Sequence, residues 1–404
     1  MIQEKLNGGK LNVKQTVLLS FGFFGSSLVW SIYNAFVPQI LEGFIASTFV
    51  IGMIMSIDNL FGVVLQPLFG KISDGTRSRF GRRLPFLFFG MPICAAVFVF
   101  IPYMQNLWSL MAVVIVFTFV MGIWRTPAVS LMPDLTPGPL QSKANGIVNL
   151  MGGIAAILAF AGGGLLFGLG GFPLPFLVSA LMLLGALAVV ALFVKEPELP
   201  YEEAVKADRT GLNLAPGEKT SFFLLLSSIF FWFAGYNAVE TFFTLYATNT
   251  LGIAPGLASM MLSIFALTFV IFAVPMGMIG DRYGRKKCIF TGLCLLTLSF
   301  VPMIFIANIW LTAAMLLIGG VFWSCVNINS LPMITKMSGP MRIGTFIGYY
   351  YLFSFSANIV TTPIFGLIRD FVGHYQVLFS YAVVCFLLAI ACLVFVKHGE
   401  VAQL

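Results

Sequence analysis

Charge is scarce in this chain. Asp, Glu, Lys and Arg make up 9% of its 404 residues, against roughly 25% in soluble domains. Histidine is nearly absent. His374 and His398 are both read as lying outside the membrane, so no histidine relay is expected. Paired catalytic carboxylates, zinc-ligand spacings and nucleophile–base constellations are also missing, which argues against an enzyme and against a bound metal or cofactor. The glycine-rich stretch from Ala161 to Gly164 is not followed by Gly-Lys-Ser/Thr, so it is not a phosphate loop. The six cysteines (94, 288, 294, 325, 385 and 392) sit within apolar runs or at their ends, and no structural disulfide is expected. Long polar segments are limited to residues 195–219, which leaves no room for a soluble output domain.

What fills the chain instead is apolar sequence, 59% of all residues. It falls into twelve runs: 15–41, 47–71, 84–104, 107–133, 143–168, 173–194, 220–248, 254–280, 286–306, 309–335, 341–368 and 373–397. Runs of about 18 or more apolar residues cross a bilayer as helices. A soluble helical core would need a polar outer face on each helix, and these runs have none. The expectation is an all-α membrane protein of twelve transmembrane helices. Residues 1–14 are polar and basic, and the first apolar run is too long for a signal-peptide core, so no cleaved leader is expected.

The few charges are placed unevenly. With a cytoplasmic N-terminus, every Lys and Arg except Arg125 and Arg369 falls on the cytoplasmic side. This follows the positive-inside rule and predicts a multi-pass protein of the cell membrane with both termini inside. The net charge of +7 is then a topological signal and an attraction to anionic lipid, with no nucleic-acid partner implied. A monomer in the bilayer is expected.

The chain also repeats itself weakly at an offset of about 200 residues. Tyr33-Asn34-Ala35 returns as Tyr236-Asn237-Ala238, and Asn106-Leu107-Trp108 as Asn308-Ile309-Trp310. Trp124 with Ser130-Leu131 returns as Trp323 with Ser330-Leu331, and Gly138-Pro139 as Gly339-Pro340. Their common order predicts two pseudo-symmetric six-helix bundles, 1–194 and 220–404, joined by a cytoplasmic linker at 195–219.

The most informative segment is Gly62 to Phe86. An apolar run ends in a loop carrying Lys71, Asp74, Arg77, Arg79, Arg82 and Arg83, and a second apolar run begins at once. A shorter relative carries Gly277, Asp281, Gly284, Arg285 and Lys287. With the repeated bundles, these turns make the chain resemble the major facilitator superfamily of transporters. That resemblance implies a substrate site near the bilayer midplane, and alternating access by rocking of the halves. Gly70, Asp74, Arg79, Gly81, Arg82, Arg83, Asp281 and Arg285 are then expected to set topology and gating, not to bind substrate.

Within that superfamily the segment looks like the sucrose–proton symporters and their bacterial relatives. The pattern G-x3-Q-P-x2-G-x2-S-D-x3-S-R-x-G-R-R-x-P-F is met by Gly62, Gln66, Pro67, Gly70, Ser73, Asp74, Ser78, Arg79, Gly81, Arg82, Arg83, Pro85 and Phe86. Asp134-Leu135-Thr136 matches as well. The glycoside–pentoside–hexuronide:cation symporters, some sodium-coupled, are the next nearest group. The resemblance implies proton-coupled uptake of a glycoside, a disaccharide such as sucrose or maltose. It also implies an acidic residue partway along the fourth helix and an arginine further on. Those positions are Thr118 and Val129 here, with Arg125 one turn before the second. Coupling must therefore use another carboxylate.

Three ionisable residues lie clearly within the membrane, away from the ends of the runs: Asp58, Arg125 and Glu240. Each costs ~2.5–3.5 kcal/mol or somewhat less at a helix centre on insertion scales, so each is a functional-site candidate. Burial raises an aspartate pKa and a nearby arginine lowers it again. Asp58 and Arg125 are therefore candidates for a proton switch, with a static ion pair as the alternative. Glu240 is a second proton site or a sugar ligand, unless it merely faces a watery vestibule. Trp232, Tyr236, Glu240 and Thr244 recur every four residues as one stripe.

Sugars need amides and carboxylates for their hydroxyls and flat rings for their apolar faces. The candidates are Trp30, Tyr33 and Asn34 in the first run, Trp124 in the fourth, and Asn145 and Asn149 in the fifth. Tyr236, Asn237 and Glu240 in the seventh, and Trp323, Asn327 and Asn329 in the tenth, complete the set. Trp108 and Trp310 read as interfacial anchors. A drug or metabolite exporter of the same fold, a sodium-coupled glycoside symporter and a non-transporting substrate sensor remain the alternatives to proton-driven sugar uptake.

Overall fold

The computed structural model describes residues 11–137, 140–196, 216–337 and 343–397. The linker at 197–215, the turns Gly138-Pro139 and Gly339-Pro340, and His398 lie outside the described residues. Every regular element among those described is helical. Twelve helices are long and apolar enough to cross a membrane. They are α1 (Val13–Glu42), α2 (Thr48–Gly75), α3 (Leu84–Tyr103), α4 (Leu107–Leu135), α5 (Lys143–Gly170) and α6 (Pro173–Phe193). The second set is α7 (Gly217–Asn249), α8 (Pro255–Tyr283), α9 (Arg285–Phe305), α10 (Ile309–Lys336), α11 (Phe346–Val372) and α12 (Val377–Val394).

Local chemistry explains where these helices begin and turn. The repeated Asn-x-Trp is a helix start: the Asn106 side chain accepts from Ser109 N at 2.9 Å, and Asn308 accepts from Trp310 N at 2.9 Å and Leu311 N at 3.1 Å. Each asparagine thus satisfies amides that have no intrahelical partner. The following tryptophans stand exposed, 83% at Trp108 and 81% at Trp310, as interfacial anchors should. The two basic turns share a backbone device. Gly81 has φ +103° and Gly284 φ +100°, a region open to glycine and costly for other residues.

The repeat is visible in the packing. α1 packs on α5 and α6, and α3 on α4 and α6. Six helices later, α7 packs on α11 and α12, and α9 on α10 and α12. The described residues form two compact units. The first holds the chain up to Ile45, then Leu60 to Glu196 and Pro255–Ser263. The second holds Ala46–Asn59, then Pro216 to Ala254 and Ile264 onward. The chain therefore crosses from one unit to the other within α2 and again within α8.

The core of the first unit is aromatic. Tyr33 meets Phe117 at 5.4 Å, Phe117 meets Phe98 at 5.1 Å, and Phe98 meets Phe176 at 4.7 Å. This chain of rings links α1, α4, α3 and α6. In the second unit, Tyr246, Phe379, Phe300 and Phe386 link α7, α12 and α9 in the same manner. Helix α5 contains a π-helical segment, Leu158–Gly162, and Ser259 of α8 donates to Phe160 O at 2.9 Å. A π segment frees a backbone carbonyl from the regular ladder, and this hydroxyl occupies one there.

Candidate functional site

The loop between α2 and α3 is organised around Arg83, whose side chain is 6% exposed. Its Nε donates to Asp134 Oδ2 at 2.8 Å and its Nη1 to Gly70 O at 3.3 Å. Ser73 Oγ and the Asp74 carboxylate take further N–H groups. Arg82 forks onto the same Asp134, with Nη2 to Oδ1 at 2.6 Å and Nε to Oδ2 at 3.2 Å. Burial pulls the Arg83 pKa down, but the hydrogen bond and charge of Asp134, with those of Asp74, outweigh it and hold the guanidinium above its ordinary value. The planar fork of arginine suits such multidentate binding.

A residue that the sequence reading passed over completes this loop. Glu196 reaches back to the start of α3 and accepts from Arg82 N at 2.8 Å, Arg83 N at 2.9 Å and Leu84 N at 2.7 Å. It is an N-cap supplied from the far end of α6, and its charge favours a helix N-terminus. Gly81 is needed here twice. Its φ is positive, and a Cβ on it would lie 2.5 Å from the Glu196 Cβ. Ser78 Oγ donates to Gly81 O at 2.6 Å and fixes the turn. Arg79 lies 4.7 Å from the Phe80 ring centroid.

The second basic turn is simpler. Arg285 Nε donates to Asp281 Oδ1 at 3.1 Å, one helical turn away. Lys286 Nζ donates to Val396 O at 2.6 Å and Val394 O at 3.2 Å, capping the C-terminus of α12. These carbonyl contacts are specific to the fold and leave no mark in the sequence.

The intramembrane candidates gather separately in the two units. In the first, Trp30 stacks on Tyr33 at 5.2 Å and on Phe117 at 6.0 Å. The Arg125 guanidinium lies 5.8 Å from the Trp30 ring centroid, within cation–π range. Asn34 is half-buried on the same helix. In the second, Tyr236 and Trp323 are stacked at 4.2 Å with an interplanar angle of 2°. The Tyr236 hydroxyl hydrogen-bonds Glu240, one turn along α7. Asn237 is buried, and Asn327 is half-buried on α10. Asp58 is half-buried in α2 and accepts from Asn59 Nδ2 at 2.7 Å.

Other candidates take different places. Trp124 is fully enclosed, with its ring so close to Gly90 that a Cβ there would lie 2.6 Å from the Trp124 Cβ. It offers no surface to a ligand in this structure. Asn329 is a packing residue. Its Nδ2 donates to Met276 O at 3.1 Å, Cys325 O at 3.0 Å and Cys288 Sγ at 3.4 Å. Asn145 and Asn149 are exposed on α5. The expected α7 stripe divides. Tyr236 and Glu240 are half-buried, while Trp232 and Thr244 are wholly enclosed. A four-residue step overshoots a helical turn by about 40°, so twelve residues turn the stripe through about 120°.

The pattern of the Major Facilitator Superfamily matches residues 19–258 and, again, 224–403. The chain belongs to this superfamily. It is a multi-pass membrane protein of twelve helices, and a secondary transporter by family. Among curated proteins, multidrug resistance protein MdtG of Proteus mirabilis (strain HI4320) is 26% identical over 289 residues, 71% of this chain and 69% of that protein. Tetracycline resistance protein, class H, of Pasteurella multocida is 22% identical over 286 residues, 68% of each chain. Among solved structures, the nucleoside transporter NupG aligns with a TM-score of 0.73 at 14% identity, covering 95% of this chain and all of that one (100%). A bacterial homolog of the human lysosomal transporter Spinster aligns with a TM-score of 0.70 at 14% identity, covering 94% of this chain and 93% of that one. These structural likenesses concern the fold. The family and fold are those of transporters, which are not enzymes.

Proposed function

We propose that this transporter takes up a glycoside of disaccharide size by alternating access, driven by the proton gradient. The observation that carries the reading is the stacked Tyr236–Trp323 pair beside Glu240. Tyr236, half-buried and backed by the enclosed Trp323, lies beside the Glu240 carboxylate, and a ring next to a carboxylate matches the two sides of a sugar, its C–H face and its hydroxyls. Small-molecule sites combine an apolar or aromatic lining with a few placed polar groups in this way. Trp30, Asn34 and Arg125 offer similar chemistry in the other unit, with Tyr33 enclosed behind Trp30. The sugar-symporter pattern adds weight. Its Gly70, Ser73, Asp74, Ser78, Gly81, Arg82 and Arg83 act together in one hydrogen-bonded loop.

In this reading Asp58 and Glu240 carry the coupling proton and Arg125 modulates it, because ionisable groups at this depth are costly to keep without a role. The two basic turns face the cytoplasm with both termini, and the Arg83 loop governs gating. Asp58→Asn is expected to abolish accumulation against a gradient while leaving counterflow intact. Normal accumulation by that variant eliminates Asp58 as the coupling site. Uptake that follows sodium in place of protons turns the reading to a glycoside:sodium symporter.

A second reading, export of drugs or metabolites, is favoured by the named drug-resistance relatives. Asn329 is used in packing, which leaves one amide fewer for sugar hydroxyls. Proton-driven efflux of a cationic dye, with no glycoside uptake in the same vesicles, decides for export.

A further inference from the structure

Helix α2 is held at its N-terminus by a residue more than 300 positions away. Asp370, at the C-terminal end of α11, accepts from Ser47 Oγ at 2.7 Å, Thr48 N at 2.8 Å and Phe49 N at 3.0 Å. The first amides of a helix have no intrahelical partner, and a carboxylate there is favoured by the helix dipole. Arg369 pairs with Asp370 Oδ1 at 3.3 Å and lies 4.1 Å from the Tyr375 ring centroid. The Tyr375 hydroxyl sits 3.3 Å from Thr48 Oγ1. One carboxylate, one guanidinium and one phenol therefore converge on the first turn of α2.

Two glycines bring bare backbone together beside this cap. A Cβ on Gly366 would lie 2.3 Å from Thr48 O, and one on Gly52 would lie 2.6 Å from Thr362 O. Glycine surfaces carry no interlocking side chains, so they separate without repacking. Asp370 and Arg369 keep 23% and 21% of their side chains exposed, so water can replace the broken hydrogen bonds. At its other end, α2 is fixed to α3 and α4 through Gly70, Ser73, Asp74, Arg83 and Asp134.

We propose that Asp370 is a releasable latch: the transport cycle opens and recloses this cap, detaching the first turns of α2 from α11. The latch rests on membership of the transporter superfamily and not on the identity of the substrate. Asp370 is a positioning residue, acting on α2 and touching no substrate.

The test needs no substrate. Ile51 lies one turn into α2 and is 0% exposed. The maleimide labelling rate of Ile51→Cys is measured in detergent-solubilised full-length protein, with the chain lacking that cysteine as background. Adding Asp370→Ala is expected to raise the rate about tenfold, the size set by loss of a strong helix cap. Asp370→Asn, which keeps an acceptor of the same shape, is expected to raise it less. An unchanged or slower rate in an Asp370 variant that elutes and melts as a folded protein overturns the latch. If Asp370→Ala does not fold, Asp370→Asn carries the same decision. A second arm cross-links Ser47→Cys to Asp370→Cys with a short reducible reagent. Labelling of Ile51→Cys is expected to stop and to return on reduction, and persistent labelling overturns the latch. Because both arms read accessibility, failure of sugar transport leaves their outcome unaffected.

Discussion

At the scale of single residues, Arg83 is held by four partners: Asp134, Gly70, Ser73 and Asp74. Removing one partner of a buried ion pair costs ~3–5 kcal/mol, but Arg82 would keep Asp134 and Asp74 is mostly exposed, which lowers the expected cost to ~2–3 kcal/mol. Arg83→Ala is expected to lower stability by about that amount, read as a fall in melting temperature in detergent. Arg83→Lys is expected to restore only part of it, because an ammonium lacks the fork. Since the folded pKa of Arg83 is raised, its contribution is present below the ordinary arginine value wherever Asp134 and Asp74 are ionised, and is lost as pH rises through the folded value. A second prediction concerns Gly280, where a Cβ would lie 1.8 Å from Asn329 Oδ1. Gly280→Ala must displace an amide that ties three helical groups together. It is expected to destabilise by ~1–3 kcal/mol, as overpacking does. The sequence showed Trp124 and Trp30 as equal candidates. Only the position of Gly90 distinguishes the enclosed indole from the accessible one, and that contact joins residues on different helices.

At the scale of elements, the twelve helices were legible because lipid demands long apolar runs. The repeated Asn-x-Trp was legible as a repeat, and its meaning as an N-cap emerged with the geometry. Which face of each helix meets protein was not legible. Lipid and protein interior are both apolar, so periodicity carries little signal. For the same reason the α7 stripe looked uniform when only its middle is accessible. The Glu196 cap was hidden because it pairs a side chain with backbone amides 112 to 114 positions away. Glu196→Ala is expected to cost ~0.5–2 kcal/mol, the range for a lost cap, while Arg82 and Arg83 keep Asp134. The π segment of α5 adds one further expectation. Deleting Ala161 should regularise the helix and keep Gly163–Gly170 in register, because a π turn holds one residue more than an α turn. Gly164, where a Cβ would lie 2.3 Å from Gly256 O, would then keep its close contact. Retention of folded protein on size-exclusion chromatography checks this.

At the scale of the whole molecule, a chain poor in charge gathers its charge in two basic turns, the linker and the tails, and holds only a few charged groups at membrane sites. The turns build ion networks and helix caps. The membrane sites gather as an aromatic stack with Arg125 in one unit and a stacked Tyr236–Trp323 pair with Glu240 in the other. The family follows from sequence and fold together. The substrate was less legible, because aromatic rings and a carboxylate serve sugar binding and drug binding alike, and the relatives differ in what they carry. The measurement that decides is uptake of labelled disaccharides into proteoliposomes, with and without an inward proton gradient. The account predicts accumulation of at least one glycoside that collapses when the gradient is removed. Gradient-independent uptake, or no uptake of any glycoside by protein that remains folded, would contradict it.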